Sequence, residues 1–130
     1  MNDEMRLHIE LETQENVRTG IGAEEAAGSA LEVREGAVGP GRLLEQLFGD
    51  RSQVVTTFVC GDNYAVEQQD QLITDVLNHL RDSGADLFVA GPCFEAGRYG
   101  MAAGALCSAV QAELHILAVT AMDMENPGVD

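Results

Sequence analysis

The ten residues from Gly91 to Gly100, GPCFEAGRYG, combine the residue types in this sequence that are best suited to bind an anion. They follow an apolar run that predicts a buried strand, and they precede a run that predicts a helix. Amides at the start of a helix favour anions, and the guanidinium fork of Arg98 can hold a carboxylate. We therefore interpret the segment as a candidate substrate-binding site, with Gly91, Gly97 and Tyr99 beside the arginine. The alternative is a tight turn in which Arg98 pairs with a neighbouring acid.

Cys93 lies in the same segment and is the candidate catalytic nucleophile or redox group, because a thiolate near the start of a helix is stabilised. No second cysteine lies nearby in sequence to resolve it, so the alternative is a small packing residue. Cys60 and Cys107 fall on a strand and on a helix face and are interpreted as packing residues. The three cysteines have no CxxC spacing and the three histidines no ligand spacing, so the sequence predicts neither a disulfide framework nor a metal site.

Two further pairs of polar residues are candidates for ligand contact. Asp62 and Asn63 directly follow the second predicted strand, where they either contact a ligand or cap the next helix. Glu24 and Glu25 lie in a glycine-rich stretch after the first predicted strand. Their paired carboxylates either bind a cationic amine or form a solvated charge pair.

The elements that must position these residues follow from the apolar pattern. Alternating or continuous apolar residues predict four strands, at 5–11, 53–59, 87–90 and 116–120. Helical spacing predicts helices at 41–48, 65–80 and 99–113. Strands that alternate with helices indicate an α/β protein with a parallel sheet and right-handed crossovers, a three-layer module of the Rossmann or flavodoxin-like type with about four strands. Ligands bind at the carboxyl edge of such sheets, where residues 60–63, 91–98 and 121–126 are expected to lie.

The length of 130 residues predicts one domain, which we divide by pattern into three parts. Residues 13–40 form a long glycine-rich loop, residues 41–122 the core, and residues 123–130 a turn-rich tail. A loop of this length inside a small domain is often functional.

The composition excludes several classes of function. The chain has 22 acidic residues and 7 basic ones, all of them arginines, for a net charge of −15. Without lysine there is no Schiff base, no anchored pyridoxal phosphate and no phosphate-loop lysine. The charge disfavours nucleic acid and anionic membrane surfaces as partners. No apolar run approaches a membrane span and the acidic N-terminus does not resemble a signal peptide, so the predicted location is the cytoplasm.

Six ordered segments resemble a known family. They are GIGAEEA (20–26), EVREGAVGPGRLLEQLFGD (32–50), CGDNY (60–64), AGPCFEAGRYG (90–100), AVQAEL (109–114) and MENPGVD (124–130). Together they resemble the N-terminal region of component B of the glycine, sarcosine and betaine reductases, the selenoprotein B family. The resemblance covers nearly all of residues 20–130.

The resemblance implies an oxidoreductase subunit for reductive deamination of a small amino acid or an N-methylated glycine. It implies no cofactor in this chain, because the family uses a selenocysteine (or a cysteine) beyond the region matched and a pyruvoyl group on a partner subunit. We expect a truncated homologue that is inactive alone and that works with other reductase subunits. The alternative is a non-catalytic binding or assembly module, which would pair with another subunit or with itself through an open sheet edge.

Overall fold

The computed structural model describes the backbone of residues 4–11 and all of residues 28–129. The described strands are β1 (Glu4–Leu11), β2 (Glu32–Glu35), β3 (Ser52–Cys60), β4 (Leu87–Phe94) and β5 (Leu117–Met122). The described α-helices are α1 (Pro40–Phe48), α2 (Asp62–Glu67), α3 (Gln69–Arg81) and α4 (Gly97–Leu114). Short 3-10 turns occupy Gly49–Arg51 and Pro127–Val129.

The strands form one mixed sheet in the order β2-β3-β1-β4-β5. β1 is parallel to both β3 and β4, and β4 is parallel to β5, whereas β2 runs antiparallel to β3. The predicted α/β class is thereby confirmed. Because the four parallel strands end at the same edge, the chain segments that follow β3, β4 and β5 lie together there, as the sequence predicted.

The core forms because the apolar residues of each element fall on one face. β3 has five β-branched residues among nine, which suits a buried strand. On α3, Leu72, Val76 and Leu80 recur at four-residue spacing and are buried. They pack with Phe58 of β3 and Phe88 of β4 in a single cluster. Burial of each of these large side chains contributes about 2 kcal/mol to stability.

Helix α4 completes the core, mainly with small residues. The buried positions of this helix are Gly100, Ala102, Ala103, Leu106, Cys107 and Val110. Four of these six residues are glycine, alanine or cysteine, and their small volume lets the helix approach β4, β5, α2 and α3, all of which it contacts. Helix α1 instead packs against β3, and it ends at Gly49, as predicted, where the glycine has a positive φ of 61°.

Three boundaries predicted from the sequence were wrong. The predicted loop at 13–40 contains β2, a strand with three charged residues among four, which has no apolar alternation to reveal it. The predicted helix at 65–80 begins earlier, at Asp62, and is interrupted at Gln68, which has a non-helical ψ of 36°. The predicted strand at 87–90 is longer than expected, since β4 continues to Phe94.

The extension of β4 depends on a local irregularity. Between Ala90 and Phe94, β4 advances four residues while β5 advances two, so extra residues of β4 bulge out of the pairing. Gly91, with a φ of 103°, adopts a conformation that suits glycine, and the Gly91–Pro92 peptide bond is cis. Among the described residues, no helix has both the length and the apolar character needed to cross a membrane.

Candidate functional site

Arg98 and Asp62, two residues predicted from the sequence to lie at the carboxyl edge, form an ion pair. Arg98 Nε lies 3.3 Å from Asp62 Oδ2, and the two side chains are 63% and 17% exposed, respectively. Asp62 is the first residue of α2 and Arg98 the second residue of α4, so the pair joins the segments that follow β3 and β4. The alternative interpretation, in which Arg98 pairs with a nearby acid, therefore describes this structure. Such an exposed pair adds at most about 1 kcal/mol to stability.

The first turn of α4 presents backbone amides beside this arginine. The N-cap residue is Ala96, which has no side chain able to accept from the first-turn amides. An 18-residue helix carries a partial positive charge at such an end. Arg98 and the first-turn amides thus form a cationic corner in a strongly acidic chain.

Asn126 fixes this corner in place. Its side chain is buried (3% exposed) and its Nδ2 donates to the carbonyl oxygens of Phe94 (3.0 Å) and Ala96 (3.1 Å). Its Oδ1 accepts from the amide of Gly128 at 2.9 Å. The amide of Asp123 also donates to the Phe94 carbonyl, at 2.8 Å. The end of β4, the start of α4 and the tail are therefore bound together through one side chain.

Glycines make this close approach possible. A Cβ added to Gly100 would overlap the Asn126 side chain, and one added to Gly128 would overlap the backbone carbonyl of Gly100. At Gly97, an added Cβ would lie 3.3 Å from Pro127 Cγ. The tail thus packs directly on the face of α4 that carries Gly97 and Gly100. Gly97, a predicted site residue, therefore allows the tail to pack on α4. At Gly91, another predicted site residue, an added Cβ would lie 3.0 Å from the Cys93 amide nitrogen.

The remaining predicted site residues lie in different surroundings. Asn63 is half-buried, and its amide donates to Asp62 Oδ1 at 2.9 Å. The N-cap position of α2 belongs to Gly61, but the Asp62 side chain still accepts from an amide in the first turn of this helix. Tyr99 is half-buried and packs against the core cluster. Glu24 and Glu25 lie outside the described residues.

Cys93 lies in a setting that disfavours nucleophilic chemistry. It is 1% exposed and belongs to β4, four residues before α4 begins. Burial raises the pKa of its thiol, and a hydrogen bond with the Thr120 side chain only partly opposes that effect. Burial, reinforced by the proximity of Cys93, raises the pKa of the Cys107 thiol to about 11. Both thiols are therefore protonated near neutral pH.

We expect Cys107 to be alkylated slowly in the folded protein. With its pKa raised from 9.0 to about 11, its thiolate fraction at pH 8 is roughly 100-fold lower than in the unfolded chain. Stability should be unaffected below pH 9 and should fall as pH rises from 9 towards 11, since only the unfolded state then ionises readily. Iodoacetamide labelling followed by mass spectrometry, with and without urea, measures the ratio. Equal rates in the two states would contradict the buried, protonated thiol.

An open cleft adjoins the tail. It has a volume of about 490 Å³ and is lined by Pro92, Phe94, Glu95, Ala121, Met122 and Asp123. Its walls come from the ends of β4 and β5. Within the described ranges, no group of histidine, cysteine or acidic side chains is arranged to hold a metal ion.

Comparisons with known proteins cover most of the chain, including the residues described above. The profile of the family described as glycine/sarcosine/betaine reductase selenoprotein B matches residues 15–130. The chain belongs to this family. The resemblance predicted from the six sequence segments is thereby confirmed.

Individual component B relatives are similar across most of the chain. The sarcosine reductase complex component B subunit beta of Peptoclostridium acidaminophilum is 49% identical over 115 residues, 88% of this chain and 26% of the relative. The glycine reductase complex component B subunit gamma of Symbiobacterium thermophilum is 50% identical over 111 residues, 85% of the chain and 26% of the relative. The betaine reductase complex component B subunit beta of P. acidaminophilum is 37% identical over 109 residues, 84% of the chain and 25% of the relative.

The chain therefore spans about a quarter of the length of these component B relatives. Their names describe them as subunits of reductase complexes. No solved structure matches the chain.

Sequence reasoning missed Asn126 as a functional candidate in this component B module. The sequence placed it in a turn-rich tail, and its partners at Phe94 and Ala96 are 32 and 30 residues away. The one available signal was the sequence Asn126-Pro127-Gly128, which is typical of a tight turn. Nothing local to that turn indicates which carbonyls the amide will bind.

Proposed function

We propose that this chain forms the carboxylate-binding module of a component B reductase, serving reductive deamination of glycine or an N-methylated glycine. The observation that carries the proposal is the Asp62 carboxylate on Arg98 at the start of α4. An intramolecular carboxylate already occupies the position that a substrate carboxylate would take. Asp62 contacts Arg98 through Nε. A ligand carboxylate that replaced Asp62 could bind Nε and a terminal nitrogen of the guanidinium group together, which is the stronger bidentate geometry.

The names of the relatives support recognition of the substrate carboxylate by this chain. Glycine, sarcosine and betaine share a carboxylate and differ in the methylation of their nitrogen. The relatives named for these three substrates are 37–50% identical to the chain over 109–115 residues. A region that all three relatives share is suited to recognise the carboxylate, which all three substrates share.

The topology supports a doubly wound, three-layer arrangement around this site. The parallel strands lie in the order β3-β1-β4-β5, which is the 2-1-3-4 order of flavodoxin-like sheets. In such sheets the ligand crevice opens at the carboxyl ends of the strands beside the switch in strand order, here between β1 and β4. Glu24 and Glu25 follow β1 in sequence, and we propose that they receive the substrate ammonium group.

In this proposal the bond-breaking chemistry belongs to other parts of the reductase. A selenocysteine or cysteine outside this chain attacks the α-carbon and releases the amine. A pyruvoyl group on a partner subunit activates the substrate amine. The chain works in the cytoplasm with these subunits and binds neither nucleic acid nor membranes. The burial of Cys93 supports assigning the nucleophile elsewhere.

We expect Arg98→Gln to weaken carboxylate binding by at least about tenfold, the effect of losing a charge-assisted hydrogen bond. The probes are acetate, glycine, sarcosine and betaine, titrated into the 130-residue chain and followed by amide chemical shifts. Arg81→Gln is the matched control, because Arg81 is also exposed and lies on α3, where it contacts Asn78. Asp62→Asn should tighten binding, since it removes the internal carboxylate.

Two outcomes would contradict this proposal. One is equal binding by Arg98→Gln and Arg81→Gln, which would remove Arg98 from the site. The other is binding of betaine without any detectable binding of acetate, which would mean that the site does not recognise the carboxylate. Turnover of any of these compounds by the chain alone, with thiols as reductant, would contradict the assignment of the chemistry to other subunits.

A further inference from the structure

The two outer strands of the sheet differ sharply in their protection against pairing. β2 has only four residues, of which Glu32, Arg34 and Glu35 are charged, and Arg34 Nη2 lies 2.8 Å from Glu32 Oε2. Short length and charge are the usual means by which a protein blocks an exposed strand edge. Among the described strands, β2 therefore forms the protected edge of the sheet.

β5 has neither form of protection. Its six residues, LAVTAM, include no charged residue and no proline, in a chain whose net charge is −15. Leu117 is 62% exposed and Val119 is 43% exposed. In the part of the chain that the structure describes, no strand lies beyond β5. An uncharged, exposed edge of this kind is a ready template for another strand.

The backbone of β5 is also oriented for such pairing. The amide of Ala118 donates to Gln111 Oε1 at 3.2 Å, so it points away from the ladder shared with β4. Backbone groups alternate along a strand, and the amides of Thr120 and Met122 therefore point to the same outer side. Gln111 satisfies the first of these donors, and an added strand would satisfy the next two.

The chemistry of β5 and the length of the relatives identify the occupant. Roughly three quarters of each component B relative lies outside the region that this chain matches. A second copy of the chain would bring another −15 of charge to the same assembly, which disfavours self-association. A strand from the rest of a component B polypeptide does not bring this second −15 charge with it, so the same repulsion does not oppose its docking.

We propose that β5 is the docking edge for an uncharged strand supplied by the remaining three quarters of a component B polypeptide, which continues the sheet beyond β5. The sheet then grows on this side alone. This interface is independent of carboxylate binding at Arg98, which lies after β4 at the carboxyl edge.

The test joins residues 1–130 of this chain to the remaining part of the P. acidaminophilum sarcosine reductase component B subunit beta. Amide hydrogen exchange is compared between this fusion and the 130-residue chain. We expect exchange in β5 to slow by at least about tenfold in the fusion, with no change in β2, because only β5 gains a hydrogen-bonded neighbour.

Two substitutions of matched residues sharpen the test. Val119 on β5 and Val33 on β2 are 43% and 41% exposed, so Val119→Lys and Val33→Lys place the same charge at similar positions on opposite edges. Val119→Lys should lower the melting temperature of the fusion more than that of the chain alone, whereas Val33→Lys should lower both equally. Circular dichroism checks that each variant folds.

Three results would overturn the proposal. Equal exchange of β5 in the fusion and the chain alone would mean that no strand docks there. Concentration-dependent protection of β5 in the chain alone, lost in Val119→Lys, would identify a second copy as the occupant. If the fusion does not fold, the separately expressed remainder is mixed with the chain and followed by sedimentation velocity, and failure to co-sediment would equally reject the docking edge.

Discussion

Replacing Asn126 by alanine is expected to lower the free energy of unfolding by about 3 kcal/mol, at roughly 1 kcal/mol for each lost hydrogen bond. The side chain is buried and bonds the carbonyls of Phe94 and Ala96 as well as the amide of Gly128. Without it, the Ala96 carbonyl and the Gly128 amide lose this partner in a part-buried setting. The tail would then separate from the start of α4.

Urea denaturation of the two forms measures this change. Asn78→Ala is the matched control, because Asn78 is exposed on α3 and bonds only the exposed Arg81 side chain among its described contacts. We expect that control to change stability by less than about 0.5 kcal/mol. A similarly small effect at Asn126 would mean that the tail contributes little to the fold.

Replacing Gly100 by alanine is expected to destabilise the protein by about 1–3 kcal/mol, the usual range for overpacking. In an isolated helix the same change would instead stabilise by roughly 1 kcal/mol. The sign reverses here because the new Cβ would overlap the Asn126 side chain, which its hydrogen bonds hold in place. The melting temperature and urea midpoint report the difference.

The cause of the Gly100 effect can be isolated with a double substitution. If the overlap with Asn126 is responsible, Gly100→Ala should have a much smaller effect in the Asn126→Ala background. Gly97→Ala provides a graded comparison, since its Cβ would lie 3.3 Å from Pro127 Cγ and needs only a slight adjustment. Strict additivity of the two substitutions would show that the loss at Gly100 has another origin.

The core elements were predictable because their apolar pattern is strong. β3 and the buried positions of α3 and α4 follow directly from β-branched runs and four-residue spacing. β2 was not predictable, since its charged residues carry no such pattern and its pairing with β3 is decided by a segment more than 20 residues away. The extension of β4 to Phe94 depends on a bulge against β5, which no local pattern encodes.

The site was predictable in its position but not in its contacts. Arg98 and Asp62 follow parallel strands, so their presence at one edge follows from topology. Their direct ion pair depends on side-chain geometry, and the sequence left that possibility open. Cys93 was a candidate nucleophile because the sequence places it near the start of a helix, but β4 continues through this position and buries it.

The bonds made by Asn126 have a consequence for how the cationic corner at Arg98 behaves over time. One buried amide connects the carbonyls before α4 to the tail, so these segments should open and close as a single cooperative unit. The corner would then be pre-organised before any ligand arrives. A ligand there would lose little affinity to loop ordering, and its binding should be governed by the displacement of Asp62 alone.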